Sequence, residues 1–585
     1  MGTDASKKVT VSTELSPVVN WPPSGGERAT AVSGAGQPSC PLDQYIRFDG
    51  TGHHPSPIDF YLGAAGSLLD RHPAAAFYQP GTGGTLRTDL PNPRQISNAI
   101  FSQNTPDADF RFSNWVWQFG QLIDHDLDLT LTNDAEPANI PAVAGDIFSA
   151  GIRFSRSVIG PNTGTDERNP RQHPNAITAW IDGSMVYGAD PERAKKLRLL
   201  DGSGELKTNQ EGSLKTNDTR RQLLPYNVDK LPNGEPRPGN FFVAGDIRVN
   251  EQLGLITVHT LFAREHNRIA RNIAARIAND PRYRSYTPDQ KDDYIFNEAR
   301  RIVIAEIQAI VYNEWLPTFL GPQALAPAPS VGNPQINPSI MTIFSAALFR
   351  FHSMIPNAVP VFIPARPGDW TGNISLQNAF FRPETIAADQ TLIDRIAAGL
   401  ALTPMEKADT KVVDGLRNFL FGPPGQGGLD LVSLNIQRGR DHGLPPYNEV
   451  RRAFNLAPAA SFEDLVGVGQ IPENDSNRRR AALELARRLE REYGSVEKID
   501  LFVGMLAEPV LKDAAIGELM RTVVAEQFRR LRDGDPNFYQ YRSAGFSEAE
   551  INQLNNVTLG KIIARNVALL PSDLVYFETR NVFRR

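Results

Sequence analysis

Hydrophobic and polar positions along the chain follow the 3.6-residue period of the α-helix in several long segments. The clearest segment runs from Trp115 to Thr130, and its apolar residues predict a buried helix. On this helix Gln121, Asp124 and His125 stand at i, i+3 and i+4, so they share one face. Because buried polar groups are costly unless a partner satisfies them, this face is expected to contact a polar guest.

Other segments carry the same period. An amphipathic helix is predicted over 254–277, and further helices are expected near 289–312, 338–352, 390–401, 411–420, 477–493 and 515–532. Segment 131–175 is rich in turn residues, and strand patterns are few and short. The pattern predicts a mainly α fold with one large domain over 41–585. Residues 1–40, rich in Ser, Gly, Pro and Thr, are interpreted as a disordered arm.

Composition narrows the class of protein. The chain has 585 residues, 41% of them hydrophobic, so a sizeable core can form. A net charge of −5 argues against a nucleic-acid binder. We find no apolar run of membrane-spanning length and no apolar secretory signal, so a soluble protein is expected, either cytoplasmic or exported by a leaderless route. Cys40 is the single cysteine, which excludes an intrachain disulfide. The oligomeric state stays open.

Two of the nine histidines stand in helical, apolar surroundings besides His125. His266 lies on the apolar side of the 254–277 helix, and we interpret it as a core histidine satisfied by protein partners. His352 lies in the segment 344–356, which is apolar on nearly every side. A lone imidazole in such surroundings requires a metal or a hydrogen-bond donor, so His352 is the candidate metal ligand.

Several segments resemble, in order, the animal-type haem peroxidases. They are 120–128 around His125, 178–188, 244–252 around Arg248, 344–356 around His352, and 434–448. The resemblance spans about 41–580 and implies haem b as cofactor and hydrogen peroxide as substrate. A bacterial member of the family is expected.

The resemblance assigns the two sides of the haem. It implies that His352 is the proximal iron ligand, that Asn435 accepts a hydrogen bond from its imidazole, and that Arg438 pairs with a haem propionate. On the distal side Gln121 belongs to the catalytic set, His125 would shuttle the peroxide proton, and Arg248 would stabilise the charge on the leaving oxygen.

The resemblance further implies two kinds of attachment. The haem would be held through ester bonds to Asp124 and Glu251. A calcium ion would take oxygen ligands from Asp126 on the distal helix and from a loop, where Asp182, Thr178 and Ser184 give side-chain oxygens and Trp180 its carbonyl. Taken alone, this loop is a weak signal because Asp-Gly-Ser is common in turns.

Two departures from the family pattern bear on the reaction. Phe351 precedes His352 where peroxidases usually carry Gly, which puts a propionate role for Arg350 in doubt and resembles the fatty-acid dioxygenase branch of the superfamily. Those enzymes need a Tyr three residues before the His, but Phe349 occupies that position. Gln252 stands where myeloperoxidase has a haem-bonded Met.

The leading hypothesis is therefore a peroxidase that oxidises small anions such as iodide, thiocyanate and bromide, or phenols. The alternatives are a lipid dioxygenase and a catalytically silent, calcium-stabilised interaction protein.

Overall fold

The computed structural model describes residues 45–54, 60–103, 105–209, 218–227, 241–363, 371–569 and 571–585. The predicted arm over 1–40 lies outside these ranges. Within them the chain is mainly α-helical with few short strands, as its pattern predicts. None of the described helices is both long and apolar enough to cross a membrane.

Nineteen α-helices are present in the described ranges. They are α1 Pro93–Ile100, α2 Trp115–Leu127, α3 Ser184–Tyr187, α4 Pro191–Leu197, α5 Leu253–Ile277, α6 Pro288–Ile310, α7 Leu316–Phe319, α8 Pro383–Ala388, α9 Leu392–Leu402, α10 Asp414–Arg417, α11 Leu431–Asp441, α12 Tyr447–Ala453, α13 Phe462–Leu465, α14 Ser476–Tyr493, α15 Leu501–Ala507, α16 Glu518–Asp533, α17 Glu548–Leu554, α18 Leu559–Asn566 and α19 Pro571–Thr579.

The strands form three separate two-stranded antiparallel sheets in the described part of the chain. They are β1 Ala108–Ser113 with β6 Pro404–Glu406, β2 Thr132–Pro137 with β3 Ser155–Ser157, and β4 Ala358–Phe362 with β5 Thr371–Ser375. The sheets are small, so the core is built by helices.

Helix α5 lies at the centre of that core. It packs against α2, α3, α6, α9 and α18, and residues 253–267 are buried on every side. Gln252 begins the helix by accepting a hydrogen bond from the backbone N–H of Gly254 at 2.6 Å. The predicted helix over 254–277 is thus confirmed, and its neighbour α6 begins with a reciprocal capping box between Thr287 and Gln290.

The helix predicted over 338–352 is present only in part, since helical backbone spans 342–348. Residues Phe344–Leu348 form a π-helical turn in which the Phe349 N–H donates to the Phe344 carbonyl at 2.9 Å, and a separate 3-10 turn spans His352–Met354. The backbone leaves the helical region at Phe349, with φ −104° and ψ 34°. Because almost every side chain here is apolar, periodicity could not distinguish a helix from an irregular buried segment. Likewise, only the short helix α10 lies within 411–420.

The start of α2 is fixed by segments distant in sequence. The Ser113 N–H donates to the Phe583 carbonyl at 3.0 Å, and the Ser113 hydroxyl donates to the Val582 carbonyl. The Phe583 ring packs against Phe119 of α2 with centroids 5.5 Å apart. The helix predicted over 115–130 ends at Leu127, because Asp128 is already extended at φ −149° and ψ 149°.

Candidate functional site

Helix α2 places His125 in a buried position beside an acidic side chain. His125 is 4% exposed, and its Nδ1 lies 3.5 Å from Asp246 Oδ1. Burial and the nearby positive charge of Arg248 hold the pKa of His125 well below its usual value. The imidazole is therefore neutral near pH 7, which is the form that can accept a proton.

Asp246 also holds the arginine of the site. Its carboxylate accepts hydrogen bonds from the Arg248 backbone N–H at 2.7 Å, from Nε at 2.9 Å and from Nη2 at 2.8 Å. Nη2 also donates to the Asp128 carbonyl at 3.0 Å. Burial alone would raise the pKa of Asp246, but Arg248 and His125 keep this pKa below its usual value. One carboxylate therefore binds the guanidinium by hydrogen bonds and lies beside the imidazole, whose Nδ1 has no hydrogen-bond partner among the described residues.

Asp246 was missed by the sequence reasoning. Its signal is its position two residues before Arg248, because an Asp at that spacing readily accepts from the backbone N–H and from the side chain of the arginine.

The two carboxylic acids predicted to hold haem both lie near Arg248. Asp124 Oδ2 is 3.8 Å from Arg248 Nη1, and burial with the charge of Asp128 raises the pKa of Asp124 well above its usual value. Burial also raises the pKa of Glu251 to about 7, against the opposing effect of Arg248. The site therefore places one acid from α2 and one from the segment before α5 around the same cation.

A network of glutamine side chains connects α2 with the start of α5. Gln252 Nε2 donates to Gln118 Oε1 at 2.7 Å and to Gln121 Oε1 at 3.1 Å. The Gln121 amide nitrogen donates in turn to Glu251 Oε2. Gln252 is therefore both the N-cap of α5 and the group that turns the NH₂ end of Gln121 toward Glu251.

His352 lies on the other side of the site, in the turn after Phe351. Its Nδ1 is 2.9 Å from the side-chain nitrogen of Asn435, and the Asn435 oxygen accepts from Arg350 Nη1 at 3.2 Å. The predicted pair is therefore present, but the amide is turned opposite to the acceptor orientation expected for it. A half-turn of the amide would give that orientation. Burial and the positive charge of Arg350 lower the pKa of His352 to about 3.

Arg438 has protein partners in place of the expected propionate. Its Nη1 donates to Ser157 Oγ at 2.7 Å and to Asp441 Oδ2 at 2.8 Å, and its guanidinium lies 4.2 Å from the Phe154 ring centroid. Burial lowers the pKa of Arg438 to about 10, opposed by Asp441. The propionate role of Arg438 stays a prediction.

The distal and proximal groups border the same region of the protein. The positive charge of Arg350 lowers the pKa of His352 on the proximal side. The same charge opposes the increase that burial causes in the pKa of Asp124 on the distal side. Helix α2 and the proximal turn also touch, since a Cβ added at Gly120 would lie 2.7 Å from Phe351 Cζ. The structure thus brings together residues that lie more than two hundred positions apart in the sequence.

The candidate calcium loop lies beneath α2. Asp126 Oδ1 accepts from Ser184 Oγ at 2.9 Å, and Asp182 Oδ1 accepts from the Ser184 N–H at 3.0 Å. Asp182 Oδ2 has no hydrogen-bond partner within 3.5 Å among the described residues. Thr178 and Trp180 are fully buried beside them.

The donor set fits a hard cation. Burial raises the pKa of Asp126 to about 8, with Asp182 adding to the effect, and raises the pKa of Asp182 to about 7. Two neighbouring buried carboxylates with hydroxyl oxygens nearby match the ligands that calcium prefers. The described residues contain no cluster of three or more His, Cys, Asp or Glu side chains able to hold a metal, so this site would depend on hydroxyl and carbonyl oxygens.

The interpretation of His266 as a core residue is confirmed. Its Nδ1 pairs with the Tyr187 hydroxyl at 3.0 Å and its Nε2 with the Gly204 carbonyl at 3.0 Å, and it is fully buried. Both ring nitrogens are satisfied by protein atoms, so His266 lies outside the site.

Comparison with known proteins identifies the family. The family model for animal haem peroxidase matches residues 45–573. The peroxidasin homolog pxn-2 of Caenorhabditis elegans is 32% identical over 525 residues, covering 82% of this chain and 37% of that protein. The chain belongs to the animal haem peroxidase family, and the resemblance found in its sequence is confirmed. It spans about a third of the length of the peroxidasins that it matches.

Solved structures agree on the fold. Peroxidase A of Dictyostelium discoideum matches with a TM-score of 0.75 and 27% identity, covering 92% of this chain and 99% of that one. A fatty acid alpha-dioxygenase of Oryza sativa matches with a TM-score of 0.73 at 20% identity, over 92% of this chain and 87% of that one, which shows a shared fold alone. The expected bacterial origin stays a prediction.

Proposed function

We propose that this domain binds haem b and reduces hydrogen peroxide while oxidising small donors. The observation that carries the proposal is the distal arrangement, in which Asp246 lies beside a neutral His125 and binds a charged Arg248. On the proximal side His352 is paired with Asn435. Haem, when bound, supplies the iron at which peroxide is reduced and retains the oxidising equivalents.

The protein groups then move one proton and stabilise one charge. His125 would accept a proton from one peroxide oxygen and return it to the other, departing oxygen, which would leave as water. Arg248 stabilises the negative charge that develops on the departing oxygen. Asp246 keeps Arg248 in place through its hydrogen bonds and lies beside His125.

Two variants test this function together. His125→Ala should retain haem but react with peroxide more slowly, on the order of a hundredfold or more, because a positioned acid–base group is lost. His352→Ala should lose stoichiometric haem or the histidine-ligated spectrum. Stopped-flow rates in His125→Ala equal to wild type, or an unchanged spectrum in His352→Ala, would each refute the role of that residue.

The haem is proposed to be ester-linked through Asp124 and Glu251. The support is that the two acids lie near Arg248 and that burial raises the pKa of each, to about 7 for Glu251, which favours their carboxylic acid forms. After treatment with peroxide, acidified organic solvent should extract little haem from the wild type. Asp124→Asn and Glu251→Gln should each break one link, and complete extraction from the treated wild type would contradict the proposal.

The preferred donors are proposed to be iodide, thiocyanate and bromide, with phenols also accepted. Gln252 has no sulfur with which to form the third haem link of myeloperoxidase, and its amide is engaged by Gln118 and Gln121. We therefore expect poor oxidation of chloride near neutral pH. Halogenation assays at matched peroxide compare chloride with bromide, and equal turnover would show that the missing link does not limit the enzyme.

A lipid dioxygenase is the second candidate, supported by the Arg350-Phe351-His352 sequence and the shared fold. Phe349 speaks against it, because its ring has no hydroxyl hydrogen to lose. Oxygen uptake with linoleate decides between the two functions. The third possibility, a silent interaction protein, would show no histidine-ligated Soret spectrum after haem is added and the excess removed.

A further inference from the structure

A series of aromatic rings leads away from the turn that carries His352. Phe351, next to His352, contacts Phe349 with centroids 5.1 Å apart, and Phe349 contacts Trp315 at 6.1 Å. A second route from Phe351 passes through Phe319, at 5.0 Å, and reaches Trp315 at 4.9 Å. Both routes meet at one indole.

Trp315 also lies against the distal helix. A Cβ added at Gly120 would be 3.1 Å from Trp315 Cζ2, and the indole N–H donates to the Val116 carbonyl at 2.9 Å. The side chain is fully buried. Trp315 is therefore an oxidisable ring in contact with the segments that carry both the proximal and the distal groups.

The series continues from Trp315 toward the surface. The ring centroid of Phe528 lies 5.8 Å from that of Trp315 and 6.3 Å from that of Tyr312. From Tyr312 the next ring is Phe538 at 5.3 Å, and the last is Tyr539, 4.9 Å from Phe538. Tyr312 and Trp315 share the π-helical turn Val311–Trp315, which the structure inserts after α6. Such turns often occur at functional positions.

Tyr539 differs from Tyr312, and from Tyr541, whose ring also contacts Phe538 at 5.2 Å, in where its hydroxyl points. The Tyr312 hydroxyl donates to the buried Phe528 carbonyl at 2.8 Å, and Tyr541 faces the Arg532 carbonyl at 3.3 Å. The Tyr539 hydroxyl instead donates to Asn555 Oδ1 at 2.6 Å, and Asn555 is exposed. The Tyr539 hydroxyl is therefore directed toward the solvent-exposed end of the series, where water can take its proton, while the ring itself stays buried.

We propose that Trp315 and Tyr539 form a pathway by which the protein supplies single electrons to its oxidised haem site. This inference rests on the proposed function, which supplies hydrogen peroxide as the oxidant. Trp315 gives one electron to the oxidised site and becomes an indole radical cation. Tyr539 then returns one electron to Trp315 and loses its proton to solvent water beside the exposed Asn555, leaving a neutral phenoxyl radical at Tyr539 and an intact indole.

Phe349 explains why the pathway would run outward. A tyrosine at that position would trap the radical beside the proximal turn, whereas phenylalanine is too hard to oxidise and acts only as a bridge. The next oxidisable side chain is Trp315. The Tyr539 phenoxyl radical would therefore be consumed by a one-electron reaction near Tyr539. The donor oxidised there is one that is too large to enter the haem site.

Freeze-quench electron paramagnetic resonance tests the pathway in haem-loaded enzyme mixed with peroxide and no added donor. The wild type should develop a tyrosyl signal. In Tyr539→Phe the signal should instead be that of an indole, because the phenylalanine ring has no hydroxyl and cannot reduce the Trp315 radical. Trp315→Phe should lose most of the tyrosyl signal. Tyr447→Phe is the matched control, since it removes a buried phenol that donates to Glu508 in another part of the core, and it should leave the signal unchanged.

Two readings separate the failure of this inference from that of the proposed function. If peroxide does not change the Soret band, the peroxidase function itself fails. If the band changes but Tyr539→Phe and the wild type give the same radical spectrum, the pathway is refuted. Should Trp315→Phe fail to bind haem, the comparison of Tyr539→Phe with Tyr447→Phe still decides the matter.

Discussion

At the scale of single residues, Asp246 is the group on which the distal arrangement depends. Its carboxylate makes three hydrogen bonds with Arg248 and lies beside His125, yet it is only 3% exposed and cannot itself reach far into the site. Its contribution is positional, because it fixes the direction of a guanidinium that would otherwise be mobile.

We predict that Asp246→Asn slows the reaction with peroxide by roughly tenfold to a hundredfold while haem stays bound, because a neutral amide holds Arg248 and orients His125 less well. Stopped-flow spectroscopy measures the rate. The matched control is Asp280→Asn, since Asp280 makes the same three hydrogen bonds with the exposed Arg282. Equal rates in the two variants would show that Asp246 has no special role.

The sequence predicted site residues better than their partners. His125, Arg248 and His352 stand in segments whose order and composition identify them. The glutamine network and the orientation of Asn435 depend on side chains that folding brings together. Examples are the hydrogen bonds from Gln252 to Gln118 and from Arg350 to Asn435. No local pattern encodes those contacts, so they could not be predicted.

At the scale of elements, the contact between α2 and the proximal turn sets the spacing of the site. Gly120 permits that contact, because any side chain there meets the Phe351 ring. The π-helical turn before the proximal segment has a similar effect, since it breaks the helix expected over 338–352 and lets His352 leave the helical direction.

Replacing Gly120 by Ala should therefore lower the free energy of unfolding by about 1–3 kcal/mol through overpacking and should alter the Soret spectrum. Thermal unfolding and absorption spectra of the haem-loaded protein measure both effects. Gly439→Ala on α11 is the control, because an added Cβ there meets only Leu444 at an ordinary 3.6 Å. If the two variants were equally stable, the close approach of α2 would not constrain the site.

Glu314 connects the π-helical turn Val311–Trp315 to helix α18. Its Oε2 accepts from the Leu559 N–H at 2.8 Å at the start of that helix, and burial raises its pKa from 4.5 to about 7. The folded protein therefore binds more protons than the unfolded chain between these values, so the stability linked to Glu314 is complete below pH 4.5 and is lost as the pH rises through 7.

We predict that Glu314→Gln gains stability relative to wild type as the pH rises through this window, because the amide keeps an oxygen for Leu559 and does not ionise. A shift from 4.5 to about 7 corresponds to roughly 3 kcal/mol. Melting temperatures of the two proteins between pH 4 and 8 make the comparison. Parallel curves would mean that Glu314 does not titrate in that range.

At the scale of the whole molecule, the candidate calcium site joins α2 to the loop before α3 and so couples the distal residues to the core. A ligand present at about a hundred times its Kd adds roughly 3 kcal/mol to the free energy of unfolding. Chelation should accordingly lower the melting temperature of the wild type, and metal analysis after dialysis should find one calcium per chain.

An Asp→Asn substitution can be compared at the two Asp-Gly-Ser sequences that begin at Asp182 and Asp201. Asp182→Asn should lower calcium content and melting temperature, whereas Asp201→Asn should alter neither. Asp201 makes the same turn, accepting from the Ser203 N–H at 3.0 Å, but it is exposed. Full calcium content in Asp182→Asn would contradict the site. The pair also shows why the loop was a weak signal in sequence, since the two turns differ in burial and in the proximity of Asp126, which the local sequence does not encode.

The hydrogen bonds between Ser113 and residues 582–583 have a consequence for biosynthesis. Ser113 and Val582 are 469 positions apart in the sequence. The Phe583 ring packs on Phe119 of the distal helix. A ribosome therefore completes almost the whole domain before the segment that anchors the distal helix emerges. Until then the nascent domain lacks the segment against which the start of α2 packs, so haem capture is expected to follow synthesis of residues 582–583.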